Sequence, residues 1–401
     1  MTSLPKICSR IAISLISLLP LTSWASADLA QSTPAQQAAQ TAQIRAAVDA
    51  AIRPLMAEHD VPGMAVAVTV NGQAMFFQYG VASRANQTPV SETTLFEIGS
   101  ISKTFTATMA TYAQVLGKLS MDDHPSRYMP ALKGRDIDQA SLLHLGTYTA
   151  GGLPLQFPDE VGDAQVRKYF QTWKATAEAG SQREYSNPSL GLFGHLTALA
   201  LKSDFRNAME TQIFPQLGLQ HSYLQVPKTA MHDYAWGYNQ ANQAIRMNPG
   251  ALAAPTYGIK SSAADMLRYV QVNIDASGLA PTMQRALAAT HVGYFKVGTM
   301  VQGLGWEQYP YPVTLEHLLA GNSESMLFDA NPAQKISAPQ VPTAATLFSK
   351  TGSTGGFGGY AAFVPEQKIG IVMLANKNYP IPARIKAAHA ILEQLAVSSG
   401  R

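Results

Sequence analysis

The stretch Phe96–Phe105 (FEIGSISKTF) has the residue types that nucleophilic catalysis requires. Its pattern predicts a glycine-led turn that delivers Ser100 to a helix, on whose apolar face lie Phe105, Met109 and Tyr112. Ser100 and Lys103 are three residues apart, so they lie on the same side of that helix. Unpaired N–H groups at a helix N-terminus favour an oxyanion, and a buried lysine can accept the proton of a serine. The stretch therefore predicts a serine nucleophile with a lysine beside it.

The same motif also has a purely structural interpretation. Serine is a common N-cap, and a lysine one turn later can face solvent. Ser-x-x-Lys occurs a second time at Ser3–Lys6, in a segment that does not fit a catalytic role. The motif alone is therefore weak, and the rest of the chain must supply the partners of Ser100.

A candidate partner lies in the segment Tyr185-Ser186-Asn187, which precedes Pro188 and a helical pattern. The structural alternative is that Asn187 caps this helix, with Pro188 at its first position. A phenol becomes a base near neutral pH only where nearby cations lower its pKa. Two lysines converging on Tyr185 would have that effect.

A second candidate is Lys350-Thr351-Gly352-Ser353, which begins a glycine-rich stretch ending at Gly359. A lysine that protects an edge strand is the structural alternative. In the functional interpretation, an edge strand beside Ser100 presents a cation, a hydroxyl and a free backbone N–H to a bound acyl group. The glycines allow a substrate to approach the backbone closely.

The elements that must position these segments lie towards both ends of the chain. Near the start, the pattern predicts a helix from Gln37 to about Met56 and a hairpin of Met64–Val70 and Gln73–Tyr79 around Asn71-Gly72. Near the end it predicts strands at Thr346–Lys350, Gly359–Val364 and Lys368–Ala375, and then a helix with an apolar face of Ile385, Ala388, Ile391 and Leu395. We therefore expect an α+β fold in which the N- and C-terminal parts build an antiparallel sheet flanked by helices. The mostly helical middle would insert as a lobe, with the active site in the cleft between.

Composition and the first residues limit the classes of function. The 401 residues are 46% hydrophobic and 14% charged, and the formal charge of +3 is not clustered, so we expect no nucleic acid as partner. Lys6 and Arg10, the apolar run Ile11–Leu21 and the cleavage site Ala25-Ser26-Ala27 predict a cleaved signal peptide over residues 1–27, without a membrane anchor. Its removal would also remove Cys8, the only cysteine, and with it any disulfide or thiolate site.

Two other hydrolase chemistries lack their sequence motifs. None of the nine histidines has the spacing His-Glu-x-x-His or His-x-His, so we expect no metal site and no cofactor. Gly-x-Ser-x-Gly, the nucleophile elbow of α/β-hydrolases, is absent as well.

The order Ser-x-x-Lys, Tyr-x-Asn, Lys-Thr-Gly resembles the serine β-lactamase and penicillin-binding-protein superfamily. Tyr-Ser-Asn stands where class A enzymes have Ser-Asp-Asn, and there is no Glu-x-x-Leu-Asn segment, which carries the deacylating glutamate of class A. The chain is instead similar to class C, the AmpC-type cephalosporinases. The similarity extends over the mature chain in the blocks Phe96–Phe105, Thr147–Gln156, Ser186–His195, Lys350–Phe357 and Gly370–Pro380.

The resemblance implies a role for each matching position. Ser100 would be the acylated nucleophile, Lys103 and Tyr185 would transfer protons, and Lys350 would place positive charge near the substrate carboxylate. The backbone N–H groups of Ser100 and Ser353 would form the oxyanion hole. Substrate contacts are implied for Gln156, Asn187, Tyr257, Thr351, Gly352, Ser353, Asn378 and Arg384. Ile381 occupies a position that is often asparagine in this family, which removes a polar contact near the carboxylate.

The resemblance also implies an activity: opening of the β-lactam ring of cephalosporins and penicillins through a Ser100 acyl-enzyme, which confers resistance. It implies a periplasmic monomer. The pattern of helices and strands predicts one catalytic unit over residues 28–401, with an α/β part (about 28–103 and 286–401) and a helical lobe (about 104–285). A DD-peptidase or esterase of the same fold is the alternative enzyme. A penicillin-binding sensor is the alternative from another class, although such sensors usually carry an anchor or a signalling domain.

Overall fold

The computed structural model describes residues 34–399, so the predicted signal peptide lies outside the described residues. Residues 40–399 lie in one compact unit. The preceding unit, Met1–Ala39, is described only from Pro34, where the first helix begins. Within 34–399, no helix combines the length and apolar character needed to cross a membrane.

The described chain contains helices and strands in a mixed order. The helices are α1 (Pro34–Glu58), α2 (Ser102–Val115), α3 (Leu142–Gly146), α4 (Val166–Thr172), α5 (Asn187–Ala200), α6 (Phe205–Ala208), α7 (Phe214–Leu217), α8 (Ala253–Thr256), α9 (Ala263–Ile274), α10 (Pro281–Thr290), α11 (Leu315–Gly321), α12 (Glu324–Phe328) and α13 (Ile381–Ser399). The strands are β1 (Gly63–Val70), β2 (Gln73–Ser83), β3 (Thr88–Pro89), β4 (Phe96–Glu97), β5 (Gln182–Arg183), β6 (Ser222–Tyr223), β7 (Gly237–Tyr238), β8 (Ala244–Ile245), β9 (Lys260–Ser261), β10 (Gly293–Val297), β11 (Met300–Gly303), β12 (Glu307–Pro310), β13 (Asn331–Pro332), β14 (Gln334–Lys335), β15 (Thr346–Ser353), β16 (Gly358–Val364) and β17 (Ile369–Ala375).

Ten strands form one antiparallel sheet in the order β14-β10-β11-β12-β15-β16-β17-β1-β2-β3. The two ends of the chain meet where β1 pairs with β17, in a register running from Met64↔Ala375 to Val70↔Ile369. The predicted hairpin is confirmed, because β1 and β2 pair around Asn71 and Gly72, which both have positive φ. The expected α+β fold, with an antiparallel sheet from both chain ends flanked by helices, is likewise confirmed.

Both faces of this sheet are covered, which explains why every residue of β1 is buried. On one face, Met64, Val66 and Val68 belong to a core shared with α1 and α13. The predicted apolar stripes of these helices lie in that core: Ile44, Val48, Ile52 and Leu55 from α1, and Ile385, Ala388, Ile391 and Leu395 from α13.

The opposite face is covered by α9, which packs on β17, β1 and β16. Beyond it lies α2, whose Phe105 stacks on Tyr269 of α9 at 4.0 Å between ring centroids. Nearly all of α2 is buried, and its buried threonines donate to carbonyls three or four residues earlier. The segment that carries Lys103 is therefore held rigidly. Helix α9 contacts the sheet, although its residues belong to the predicted helical lobe (about 104–285). The boundaries of that lobe stay a prediction.

Candidate active site

Ser100 lies in a 3₁₀ turn, Gly99–Ile101, that leads directly into α2. Two glycines bring this turn against β15. Gly99 has φ +52°, and a Cβ there would lie 2.4 Å from the backbone nitrogen of Ser353. A Cβ on Gly352 would lie 2.0 Å from the carbonyl oxygen of Ile98. Side chains at either position would separate Ser100 from the end of β15.

Lys103 points back at Ser100 from the first turn of α2. Its Nζ donates to Ser100 Oγ at 2.7 Å and to the carbonyl oxygen of Thr256 at 3.1 Å. The lysine is fully buried, and burial, reinforced by the charge of Lys350, lowers its pKa to about 8 against the opposing effect of Tyr185. A substantial neutral fraction therefore exists near pH 7 to 8, as a base requires.

Tyr185 is flanked by the two predicted lysines. Lys103 Nζ and Lys350 Nζ each lie 5.0 Å from the centroid of its ring. Burial opposes ionisation of the phenol, but the two lysines, with Ser100 nearby, outweigh it and lower the pKa of Tyr185 to about 8. Its buried hydroxyl is not in hydrogen-bonding geometry with any described side chain or backbone group. The phenol is therefore held ready to exchange a proton with a substrate or water.

Lys350 is kept charged by the carboxylate of Glu307, a residue that was not predicted from the sequence. Its Nζ lies 3.0 Å from Glu307 Oε1, and Arg183 Nη2 lies 3.8 Å from the same oxygen. Burial disfavours the ammonium, but Glu307 more than compensates, and the pKa of Lys350 is raised. In the sequence, Glu307 and Arg183 could have been identified as site residues only because each is a charged residue within a strand pattern. That feature is too common to be specific.

The strand that carries Lys350 was predicted to lie at an edge of the sheet, and this is true of only part of β15. β15 pairs with β12 from Thr346 to Ser349 and with β16 from Phe348 to Ser353, so Phe348 and Ser349 have strands on both sides. From Lys350 to Ser353, only β16 is paired with it among the strands from Pro34 to Ser399. The free edge thus begins where a substrate would need it.

Asn187 and Gln156 lie together near Ser100. Asn187 Nδ2 donates to Gln156 Oε1 at 2.9 Å, and Asn187 Oδ1 has no partner within the described chain. The structural alternative for Asn187 is wrong, because the cap of α5 is Ser186, whose Oγ accepts from the N–H of Ser189 at 3.0 Å. The Asn187 side chain is therefore free of a capping role.

Two adjoining cavities open at Ser100. The strand-side cavity, about 110 Å³, is lined by Lys350, Thr351, Gly352, Ser353 and Ile381 together with Tyr185 and Glu307. The loop-side cavity, about 400 Å³, is lined by Gln156, Asn187, Tyr257, Met247 and Thr354 together with Tyr185 and Ser353. The predicted site residues, except Lys103, Asn378 and Arg384, therefore surround one continuous space.

Asn378 and Arg384 line neither of these cavities. Arg384 is fully buried and donates to the carbonyl of Gly352 at 2.6 Å, Ser353 Oγ at 2.9 Å and Asn378 Oδ1 at 2.7 Å. It supports the end of β15 from behind and approaches the site only through Ser353. Direct recognition of a substrate by these two residues stays a prediction.

The arrangement is suited to acyl transfer. It has a hydroxyl beside a buried lysine, a phenol whose pKa is lowered, a permanent cation and backbone N–H groups at a strand edge. Within residues 34–399, no three His, Cys, Asp or Glu side chains are grouped so that they could hold a metal ion.

The rate of acylation should depend on pH. Because the pKa values of Lys103 and Tyr185 are both lowered to about 8, their deprotonated forms are lost as the pH falls. We expect kcat/KM, which reports the free enzyme, to rise with pH and level off above about 8 when measured between about pH 5 and 10. In Tyr185→Phe, Lys103 loses the phenolate that raises its pKa, so the residual activity should level off at lower pH. A flat wild-type profile across this range would contradict the assignment of these bases.

The fold and this cluster together define a serine acyl-transferring hydrolase of the β-lactamase and penicillin-binding-protein type. The sequence model of the Beta-lactamase family matches residues 48–396, and the chain belongs to that family. It is 51% identical over 353 residues to a beta-lactamase of Pseudomonas fluorescens, covering 88% of this chain and 99% of the relative. It is 47% identical over 361 residues to a beta-lactamase of Lysobacter lactamgenus, covering 90% of this chain and 93% of the relative.

Solved structures agree on the class. A class C beta-lactamase in complex with cefoxitin superimposes with a TM-score of 0.85 at 48% identity, covering 88% of this chain and 99% of the other. D-alanine carboxypeptidase AmpC from Burkholderia cenocepacia gives a TM-score of 0.84 at 47% identity, with 88% and 99% covered. The predicted similarity to class C is confirmed.

Proposed function

We propose that this class C enzyme hydrolyses cephalosporins and penicillins through an acyl-enzyme on Ser100. The observation that carries the proposal is the 2.7 Å contact between Lys103 Nζ and Ser100 Oγ, made by a lysine whose pKa is lowered to about 8. The neighbouring class C enzyme in complex with cefoxitin supports a β-lactam as the substrate.

In acylation, the Ser100 hydroxyl loses its proton to neutral Lys103 or to the Tyr185 phenolate, and Oγ attacks the lactam carbonyl carbon. The negative charge on the carbonyl oxygen is stabilised by the N–H groups of Ser100 and Ser353. The C–N bond then breaks, and the proton passes from the base to the leaving nitrogen. Lys103 and Tyr185 each shift the pKa of the other, so the loss of a proton from this pair is a property of both groups together.

In deacylation, a water molecule attacks the ester carbon of the acyl-enzyme and gives its proton to Tyr185. The Ser100–acyl bond breaks, Ser100 Oγ takes this proton back from Tyr185, and the opened product leaves. Lys350 remains an ammonium throughout, because Glu307 raises its pKa. It thereby stabilises the phenolate and, with Thr351 at the strand edge, attracts the substrate carboxylate. Asn187 and Gln156 would hold the side-chain amide of the drug, with Tyr257 as the wall of the loop-side cavity.

Asn378 and Arg384 would contribute to catalysis indirectly: Arg384, itself bound to Asn378, fixes the positions of Gly352 and Ser353. We propose further that the enzyme is a periplasmic monomer, exported by residues 1–27, and that its activity confers β-lactam resistance. It would work as one catalytic unit over residues 28–401.

The test is hydrolysis of a chromogenic cephalosporin and a penicillin by the purified chain from Asp28, with and without EDTA, beside a peptide ending in D-alanyl-D-alanine. We expect rapid hydrolysis of both drugs, unchanged by EDTA. A D-alanine carboxypeptidase is the second candidate, favoured by the neighbour from Burkholderia cenocepacia. It would cleave the peptide and retain penicillin as a long-lived adduct, so that result would overturn the proposal.

A further inference from the structure

Glu97 is a buried carboxylate that the mechanism above does not use. It lies on β4, three residues before Ser100, and only 2% of it is exposed. Between residues 34 and 399, no lysine or arginine forms an ion pair with it within 4 Å. A buried carboxylate is costly unless hydrogen bonds replace its lost water. The hydrogen-bond donors to Glu97 therefore show which segments this carboxylate connects.

Three donors reach Glu97, and two of them belong to the wall of the site. Oε1 accepts from the hydroxyl of Tyr234 at 2.6 Å and from the N–H of Met247 at 2.7 Å. Oε2 accepts from Thr354 Oγ1 at 2.5 Å. Met247 and Thr354 both line the loop-side cavity. The two carboxylate oxygens thus connect separate segments. Oε1 binds Tyr234 and Met247, and Oε2 binds Thr354, which follows Ser353 in the chain.

The Thr354 contact lies close to both halves of the proposed oxyanion hole. Glu97 is joined to Ser100 through Ile98 and Gly99, and Gly99 already touches the backbone of Ser353. We propose, on the basis of the proposed function, that Glu97 is a positioning residue that fixes the Ser353 N–H relative to the Ser100 N–H by holding Thr354. An oxyanion-hole donor acts only when it lies about 3 Å from the developing charge, so a displaced Ser353 would lose transition-state stabilisation.

The test is Thr354→Val, which keeps the shape of the side chain and removes the hydroxyl. We expect kcat/KM for a chromogenic cephalosporin to fall by about 10- to 100-fold, less than the loss of a whole oxyanion donor. Thr354→Ser, which restores the hydroxyl, should stay within about threefold of wild type. The dissociation constant of a boronic acid, whose tetrahedral adduct on Ser100 places an oxygen in the oxyanion hole, should rise by about the same factor as kcat/KM falls.

Tyr234→Phe is the matched control. It also removes one hydrogen bond to the Glu97 carboxylate, so both variants should lower Tm comparably, but it leaves Thr354 bound. We expect kcat/KM and boronic acid affinity within about threefold of wild type. If Thr354→Val matches Tyr234→Phe in both quantities, or if serine does not rescue it, the positioning role is wrong. A wild-type chain that does not hydrolyse the drug would instead refute the proposed function, on which this role depends.

Discussion

Replacing Ser100 with alanine is expected to abolish turnover, with kcat/KM reduced by at least about 10⁴-fold, as for other serine nucleophiles. Without Oγ no acyl-enzyme forms, and neither Lys103 nor Tyr185 can substitute for it, because each is placed to move a proton. The fold should be retained, since Ser100 is half-buried and donates no hydrogen bond to the core. Hydrolysis of a chromogenic cephalosporin, with Tm measured in parallel, checks both statements.

Ser349→Ala is the matched control for this loss. Ser349 is buried on β15, beside Lys350, but lines neither cavity at Ser100. Removing its hydroxyl should leave kcat/KM within about threefold of wild type. If Ser100→Ala retained near wild-type hydrolysis, the assignment of the nucleophile would be wrong.

Lys103→Met is expected to lower kcat/KM by about 10²- to 10⁴-fold, the range for loss of a general base. The side chain is fully buried, so methionine fills its volume without exposing apolar surface. Two bases are affected at once: the amine is removed, and the pKa of Tyr185 rises because one of its two cations is lost. Single-turnover acylation, followed by stopped flow, measures the step directly.

Lys260→Met provides the comparison for Lys103→Met. Lys260 is also buried, burial likewise lowers its pKa, and its Nζ donates to the carbonyls of Leu224 and Gly258. It lines neither cavity at Ser100, so we expect acylation within about threefold of wild type. Equal losses in the two variants would mean that Lys103 contributes only stability.

Much of the framework could be predicted from local patterns. Asn71-Gly72 indicated the hairpin, and the apolar stripes of α1 and α13 indicated which faces would be buried. The order of three short motifs indicated the family, and with it which distant segments would meet at Ser100. Such features are readable because each depends on neighbours in the chain or on a motif long enough to be specific.

Other features depend on strand pairing that local sequence does not specify. Glu307 meets Lys350 because β12 pairs with β15 in the register Glu307↔Ser349, and nothing near either residue encodes that register. The same pairing covers Thr346–Ser349 of β15, so the edge-strand prediction holds only from Lys350 onward. The complete burial of Arg384 behind Gly352 and the hydrogen bond between Thr354 and Glu97 likewise arise from contacts between residues far apart in the chain.

The most direct test of the Ser100 mechanism is the mass of the enzyme during turnover. Wild-type protein would be mixed with excess cephalosporin, quenched in acid at a series of times, and measured intact and after proteolysis. We predict a covalent adduct on the peptide that contains Ser100 while substrate remains, and its disappearance once hydrolysis is complete. Hydrolysis without any adduct on that peptide, or an adduct that persists without turnover, would contradict it.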